Sequence, residues 1–287
     1  MGFHRKQNES KAAESTRYRR LSYCHILTRY FPTHIISLAI ISLLYFCHFT
    51  YNTRMHFSTL LYALLASIIP AFIWLIFWLR EDAIHPEPRW LIGVSFIGGI
   101  LSVVIAIFGE KYIFDMVADQ NLRYTLWAAL EEIIKFVTVL IIALHTRYYD
   151  EPIDAMIYII TVALGFVAIE NTLFILGPLS NGEISQSIAT GSMRFVGATL
   201  VHIVSSAIIG FFLGFAFYKK SIAKFVYATI GIIFAIALHS SFNLSIINSN
   251  AGDTMKTFAW IWLAVVILII LFEEIKAVKP KLTQETV

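Results

Sequence analysis

The stretch Trp127-Ala128-Ala129-Leu130-Glu131-Glu132-Ile133-Ile134-Lys135-Phe136 sets two adjacent carboxylates and an ammonium in an otherwise apolar segment. Each ionisable side chain near the middle of a bilayer costs about 2.5 to 3.5 kcal/mol on insertion scales, so this grouping demands partners. On a helix Lys135 lies one turn from both acids and can neutralise either. A structural ion pair needs only one of them. The second acid is left for a metal, a water or a substrate, and because neighbouring helical residues point about 100° apart, only one can face a bundle centre squarely.

Four further groups have types suited to the same chemistry. Gly165-Phe166-Val167-Ala168-Ile169-Glu170-Asn171 adds a third acid beside an amide, on a stretch whose Gly165 and Ala168 allow a neighbouring helix to approach closely. Its bland alternative is an interhelical hydrogen bond from Asn171 with a protonated Glu170. His202 and His239 each stand alone in an apolar run, where a histidine commonly does no more than bond an adjacent helix. Two imidazoles with a carboxylate, however, form a usual ligand set for catalytic zinc with a fourth position open for water. Asn243, one turn beyond His239, can orient a ligand or donate to a developing oxyanion. Arg194 suits the outer interface, where its default is to snorkel, and can also bind a substrate carbonyl or pair with Glu131. His25, His34, His48, His56, His85 and His145 fall at segment ends or in loops and are read as solvated or interfacial.

The elements that must position these residues follow from composition. With 287 residues, 58% hydrophobic and 14% charged, the apolar excess has nowhere to go but lipid, and the chain reads as an all-α, polytopic transmembrane helical bundle. Eight apolar runs are long enough to span: 33–51, 57–79, 90–110, 123–144, 153–176, 194–218, 222–247 and 257–275. Charge, proline and glycine mark the connections, including a loop expected from Gly177-Pro178 through Gly191. The chain divides into a basic arm over 1–32 without a cleavable signal peptide, a helical domain over 33–276 with its motif core at 123–247, and a tail over 277–287. Cys24 and Cys47 show no pairing or metal-binding spacing.

Of the 22 lysines and arginines, Arg54, Lys111, Arg123, Arg194 and Lys256 alone fall outside when the N-terminus is placed inside, Lys135 being in the core. That asymmetry predicts cytoplasmic termini, and it makes the basic balance a topology signal and not a nucleic-acid surface. At 1.5 Å per residue, Glu131, His202 and His239 then lie about 12 Å below the outer edge and Glu170 about 9 Å. Four helices deliver acids and imidazoles to one layer in the outer half of the membrane.

In order along the chain, Glu131-Glu132-Ile133-Ile134-Lys135 resembles an EExxK motif, Gly165 to Asn171 a GFxxxEN motif, Arg194 followed by His202 a third motif, and His239-Ser240-Ser241-Phe242-Asn243 a terminal HxxxN. Together they are similar to the PrsW family of intramembrane proteases, within the superfamily of CAAX-processing and bacteriocin-processing membrane peptidases. Leu130 stands where a third acid precedes the pair in that pattern. The resemblance implies an intramembrane endopeptidase of a bacterial cytoplasmic membrane acting on a membrane-protein substrate such as an anti-sigma factor. Glu131, Glu132, Glu170, His202, His239 and Asn243 are then the catalytic set, supported by Lys135, Asn171 and Arg194. The expected arrangement has Glu131 as general base for a water held by His202 and His239, Glu170 as third ligand or second acid, and Lys135 tuning Glu132, with Glu131 and Glu170 free to exchange roles. The resemblance leaves zinc and a metal-free, glutamate-activated water as alternatives. Two other readings fit the same residues: a proton-coupled transporter with an acid-histidine relay, and a haem protein with His202 and His239 as axial ligands.

Overall fold

The computed structural model describes residues 57–80, 85–248 and 251–279; the arm, the apolar run 33–51, both cysteines and most of the tail lie outside the described residues. Among the described residues all regular structure is helical. We number the helices α1 (Phe57–Arg80), α2 (Arg89–Met116), α3 (Gln120–Val139), α4 (Asp154–Ser180), α5 (Ile184–Met193), α6 (Thr199–Phe215), α7 (Ser221–Ile247) and α8 (Ala251–Lys276). A wide π turn over Leu140–Leu144 extends α3, and a second over Arg194–Ala198 joins α5 to α6 into one long rod. Six helical stretches are long and apolar enough to cross a bilayer, with α5 and α6 counted together. The less apolar α3, which carries the acid pair, runs beside them. The protein is a multi-pass integral membrane protein.

Helix α4 is the axis of the bundle. It is apolar on every side, and each residue from Asp154 to Ala168 is buried against α1, α2 or α6. Small residues set how closely the neighbours approach. A Cβ on Gly165 would run into the Phe96 carbonyl of α2, and one on Gly99 into the Val162 carbonyl of α4. On the other side Gly210 of α6 meets the backbone of Met156. Such backbone contact replaces the hydrophobic drive that lipid removes. Asp154 starts α4 by accepting from the amides of Asp150 and Glu151 at 2.9 and 2.6 Å, and the Tyr158 hydroxyl donates to Glu87, tying the chain before α2 to the axis. α8 lays the stripe Ile261, Val265, Leu268, Phe272 and Ile275 against the bundle, with Phe272 stacked on Trp78 at 4.9 Å.

The helices overrun the expected spans. α2 continues to Met116, and α4 runs through Gly177-Pro178 to Ser180. The loop expected up to Gly191 shrinks to a tight turn in which Gly182 takes φ 80°, because Pro178 lies in the last turn and α5 restarts at Ile184. Helical hydrogen bonding continues past the hydrocarbon limit, in α4 even through Gly177-Pro178 for a last turn, so hydropathy finds the span and not the helix end.

Candidate functional site

Three helices converge on the carboxylate of Glu132. Lys135 Nζ, one turn along α3, donates to its Oε1 at 2.6 Å, and both side chains are fully buried. From α6, Ser205 Oγ donates to Oε1 at 2.8 Å and Ser206 Oγ to Oε2 at 3.2 Å. From α7, His239 Nδ1 lies 2.7 Å from Oε1. An ionised carboxylate only accepts, so Nδ1 carries the proton and the lone pair of His239 falls on Nε2. Lys135 Nζ also reaches His202 Nδ1 at 3.0 Å. An ammonium only donates, so His202 accepts at Nδ1 and holds its proton on Nε2. The Glu132-Lys135 pair therefore dictates the tautomers of both imidazoles.

Glu131, the adjacent acid, is in a different situation. Its Oε2 lies 3.9 Å from His202 Nδ1 and 3.8 Å from His239 Nε2, too far for a hydrogen bond, and this buried atom has no hydrogen-bond partner. Glu170 comes from α4. Its Oε1 pairs with Arg194 Nη2 at 2.8 Å, while Oε2 lies 2.8 Å from His202 Nε2 without hydrogen-bond alignment. Arg194 thus meets Glu170 and not Glu131. Its Nε also donates to Asn171 Oδ1, and its guanidinium stacks 3.9 Å from the centre of the Phe174 ring. Asn171 Nδ2 in turn donates to Thr199 Oγ1 at 3.0 Å, an interhelical bond that locks α4 to the α5–α6 rod. Position 194 opens the π turn, an irregularity that commonly marks a functional segment.

Glu131, Glu170, Arg194, His202, His239 and Asn243 all line one cavity of about 430 Å³. Apolar walls from Trp127, Phe166, Phe242 and Phe258 surround them. Glu132, Lys135 and Asn171 stand behind this wall. The expected convergence of α3, α4, α6 and α7 on one layer is thus present as contacts. His85 and His145 lie elsewhere, against Glu151 and the Leu140 carbonyl; the other four histidines set aside above lie outside the described residues.

Three polar residues were not foreseen. Ser205 and Ser206 follow His202 by three and four positions, the spacing that returns to the same helix face, and that spacing was their only signal. Glu110 lines the cavity beside Glu131, although it ends the apolar run of α2 and reads as an interfacial residue. Its visible clue was the apolar Tyr112-Ile113-Phe114 that continues the helix beyond it.

The donor set fits a metal ion. One ligand atom each from Glu131, His202 and His239 lie within 4.8 Å of one another. Tetrahedral zinc with ligands at about 2.0 to 2.2 Å sets neighbouring donors roughly 3.3 Å apart, so modest closure brings this set to bonding geometry. The unpartnered Glu131 Oε2 between two imidazoles is the orphan that a cation satisfies. Geometry groups Glu131 with the histidines, where the sequence reading grouped Glu170. A haem between the histidines has no room, since the rings touch edge to face with centroids 4.7 Å apart.

Residues 87–272 match the family described as PrsW family intramembrane metalloprotease. Protease PrsW of Shouchella clausii is 26% identical over 184 residues, which covers 62% of this chain and 80% of that one. Protease PrsW of Bacillus subtilis is 24% identical over 185 residues, covering 62% and 79%. That of Geobacillus kaustophilus is 29% identical over 153 residues, covering 52% and 64%. No solved structure matches the chain.

Proposed function

Since the chain belongs to the PrsW family of intramembrane metalloproteases, we propose that it cuts membrane-spanning proteins with a water activated in the cavity between α3, α4, α6 and α7. The protein is an intramembrane protease; the proposal concerns which residues do the work. The observation that carries it is the unpartnered, buried Glu131 Oε2 facing two imidazoles.

Glu131, His202 and His239 would hold the metal, a two-histidine, one-glutamate set of the kind found in metallopeptidases. A zinc ion there supplies a Lewis acid that polarises the scissile carbonyl and acidifies a water. For His202 Nε2 to take a cation its proton must pass to Glu170 Oε2, at 2.8 Å, and on to solvent, which frees Glu170 as a base. Nδ1 takes a proton from Lys135 in exchange, so the ring stays a neutral imidazole. Arg194 pins Glu170 through Oε1 and leaves Oε2 turned to the cavity. In this role Glu170 takes the proton of the attacking water and hands it to the leaving amine. Asn243 donates to the oxyanion. Glu132 and Lys135 touch no reacting atom and act by orienting the imidazoles, as carboxylate partners of ligating histidines do. With both termini in the cytoplasm the cavity lies in the outer half of the bilayer, and the substrate is cut near its outer membrane boundary.

The test is cleavage of co-expressed single-span reporter proteins, read with metal content of the purified enzyme. Wild type should cut and carry about one equivalent of zinc, as expected for a single site of three protein ligands. Glu131→Ala, His202→Ala and His239→Ala should remain abundant, lose the metal and stop cutting. An active, metal-free and chelator-resistant wild type would refute the metal centre. Substantial cleavage by both Glu131→Ala and His239→Ala would refute the site.

A further inference from the structure

A second cleft of about 410 Å³ opens between α7 and α8, lined by Leu238, Ser241, Phe242 and Ser245 on one wall and Trp260 and Ala264 on the other. We infer that this cleft is the docking surface for the membrane-spanning segment of the substrate, and that the Phe242-Phe258 ring pair is the threshold between it and the reacting cavity. The inference rests on the intramembrane-protease reading and adds the route by which substrate arrives.

Continuity is the first argument. Phe242 lines both the cleft and the reacting cavity, and Phe258 lines the cavity beside it. Their rings stack with centroids 6.4 Å apart and planes 18° from parallel, so a shift of this pair joins the two spaces. Gly197, in the π turn after Arg194, makes room for both rings: a Cβ there would collide with Phe258 and crowd Phe242. The threshold therefore rests on the segment that holds Glu170 through Arg194.

Surroundings decide what can dock. The inner stripe of α8 seals against the bundle, while Trp260 is 70% and Leu263 48% exposed beside the cleft. The cleft opens sideways through an apolar face, so its occupant comes from the hydrocarbon and not from water. Its walls are nevertheless dotted with hydroxyls. Ser241 and Thr257 return their protons to the carbonyls of Ala237 and Asp253, leaving oxygen lone pairs toward the cleft. A lipid tail gains nothing from these. A transmembrane polypeptide gains twice, because Ser241, Ser245 and Ala264 are small enough for its backbone to approach closely, and because hydroxyl acceptors serve amides freed when it unwinds. Unwinding is required, since an intact helix hides the bond to be cut and bare amides are not tolerated in lipid.

Filling the cleft tests this. The probes are a single-span reporter with an apolar segment of roughly 20 residues broken by a Gly-Ser pair, and a short quenched-fluorescent peptide that reaches the cavity from the aqueous side. Ser241→Trp and Ala264→Trp should each slow reporter cleavage roughly ten-fold or more while peptide cleavage stays within about two-fold. Ile233→Trp, an exposed α7 position outside the cleft, should alter neither. A benzophenone amino acid at Leu263 in the Glu131→Gln background should cross-link to the reporter. Unchanged reporter cleavage in both cleft variants, or a Leu263 product formed only with lipid or with residues 1–56 of the chain itself, would overturn the docking surface. Peptide cleavage retained in that case leaves the protease reading intact. If wild type cuts neither probe that reading fails, and the Leu263 cross-link still decides whether the cleft holds a spanning segment.

Discussion

Glu131→Gln and Glu132→Gln make the same chemical change at adjacent positions, and the contacts of the two acids require opposite results. Glu132 is fully buried and receives four donors, from Lys135, His239, Ser205 and Ser206. Glutamine offers one acceptor oxygen, and its amide would turn two N–H donors toward groups that also donate. Three of the four donors meet Oε1 and only Ser206 meets Oε2, so a glutamine whose oxygen takes the Oε1 place loses one bond, at roughly 1 to 3 kcal/mol. Lys135 is also left without its anion, for which breaking a buried pair costs about 3 to 5 kcal/mol. The second term is reduced, since the glutamine oxygen and His202 both still accept from the ammonium. A net loss of about 4 kcal/mol follows, which for a domain of this size lowers the melting temperature by about 10 °C. Glu131 Oε2 has no hydrogen-bond partner to lose, and glutamine keeps the shape of the side chain and can still bond Glu110, so its stability should stay within about 1 kcal/mol. The assay is thermal unfolding of the two purified variants in the same detergent, followed by fluorescence-detected size exclusion, alongside cleavage of the single-span reporter. Glu132→Gln should melt early. Glu131→Gln should melt with wild type yet be inactive. Equal melting shifts, or an active and stable Glu132→Gln, would refute the division of labour between the two acids.

Lys135→Ala should reduce the amount of inserted protein more than Lys135→Arg, since the alanine variant strands a fully buried carboxylate; normal abundance and activity of the alanine variant would show that Lys135 is not the essential partner. At Gly165, substitution by Val should force α4 away from the Phe96 carbonyl at a cost of about 1 to 3 kcal/mol or more, read as early melting; a wild-type melting curve would refute the close α2–α4 contact. Cysteine labelling should find the turn at Gly182 outside and the connection at Lys220 inside; external labelling near Lys220 would overturn the orientation.

Membrane residence and helical class were legible in the chain, as were the charged and imidazole residues that the helices bring to one cavity, because each is a local property. Hydropathy over about 20 residues decides whether a segment partitions into lipid, and a charge inside such a segment announces itself. Partnership was legible only in part. The pairing of Lys135 with Glu132 was expected, but only the rotation of α3 against α6 and α7 brings Ser205, Ser206 and His239 to the same carboxylate. The same rotation leaves Glu131 facing the imidazoles and lets Arg194 take Glu170 in place of Glu131. Glu110 joins the cavity because α2 packs along α3 and brings it beside Glu131. These outcomes depend on how helices turn about their axes and how closely they approach. That is decided by backbone contacts between distant residues, Gly165 on Phe96 and Gly210 on Met156, which no window along one helix contains.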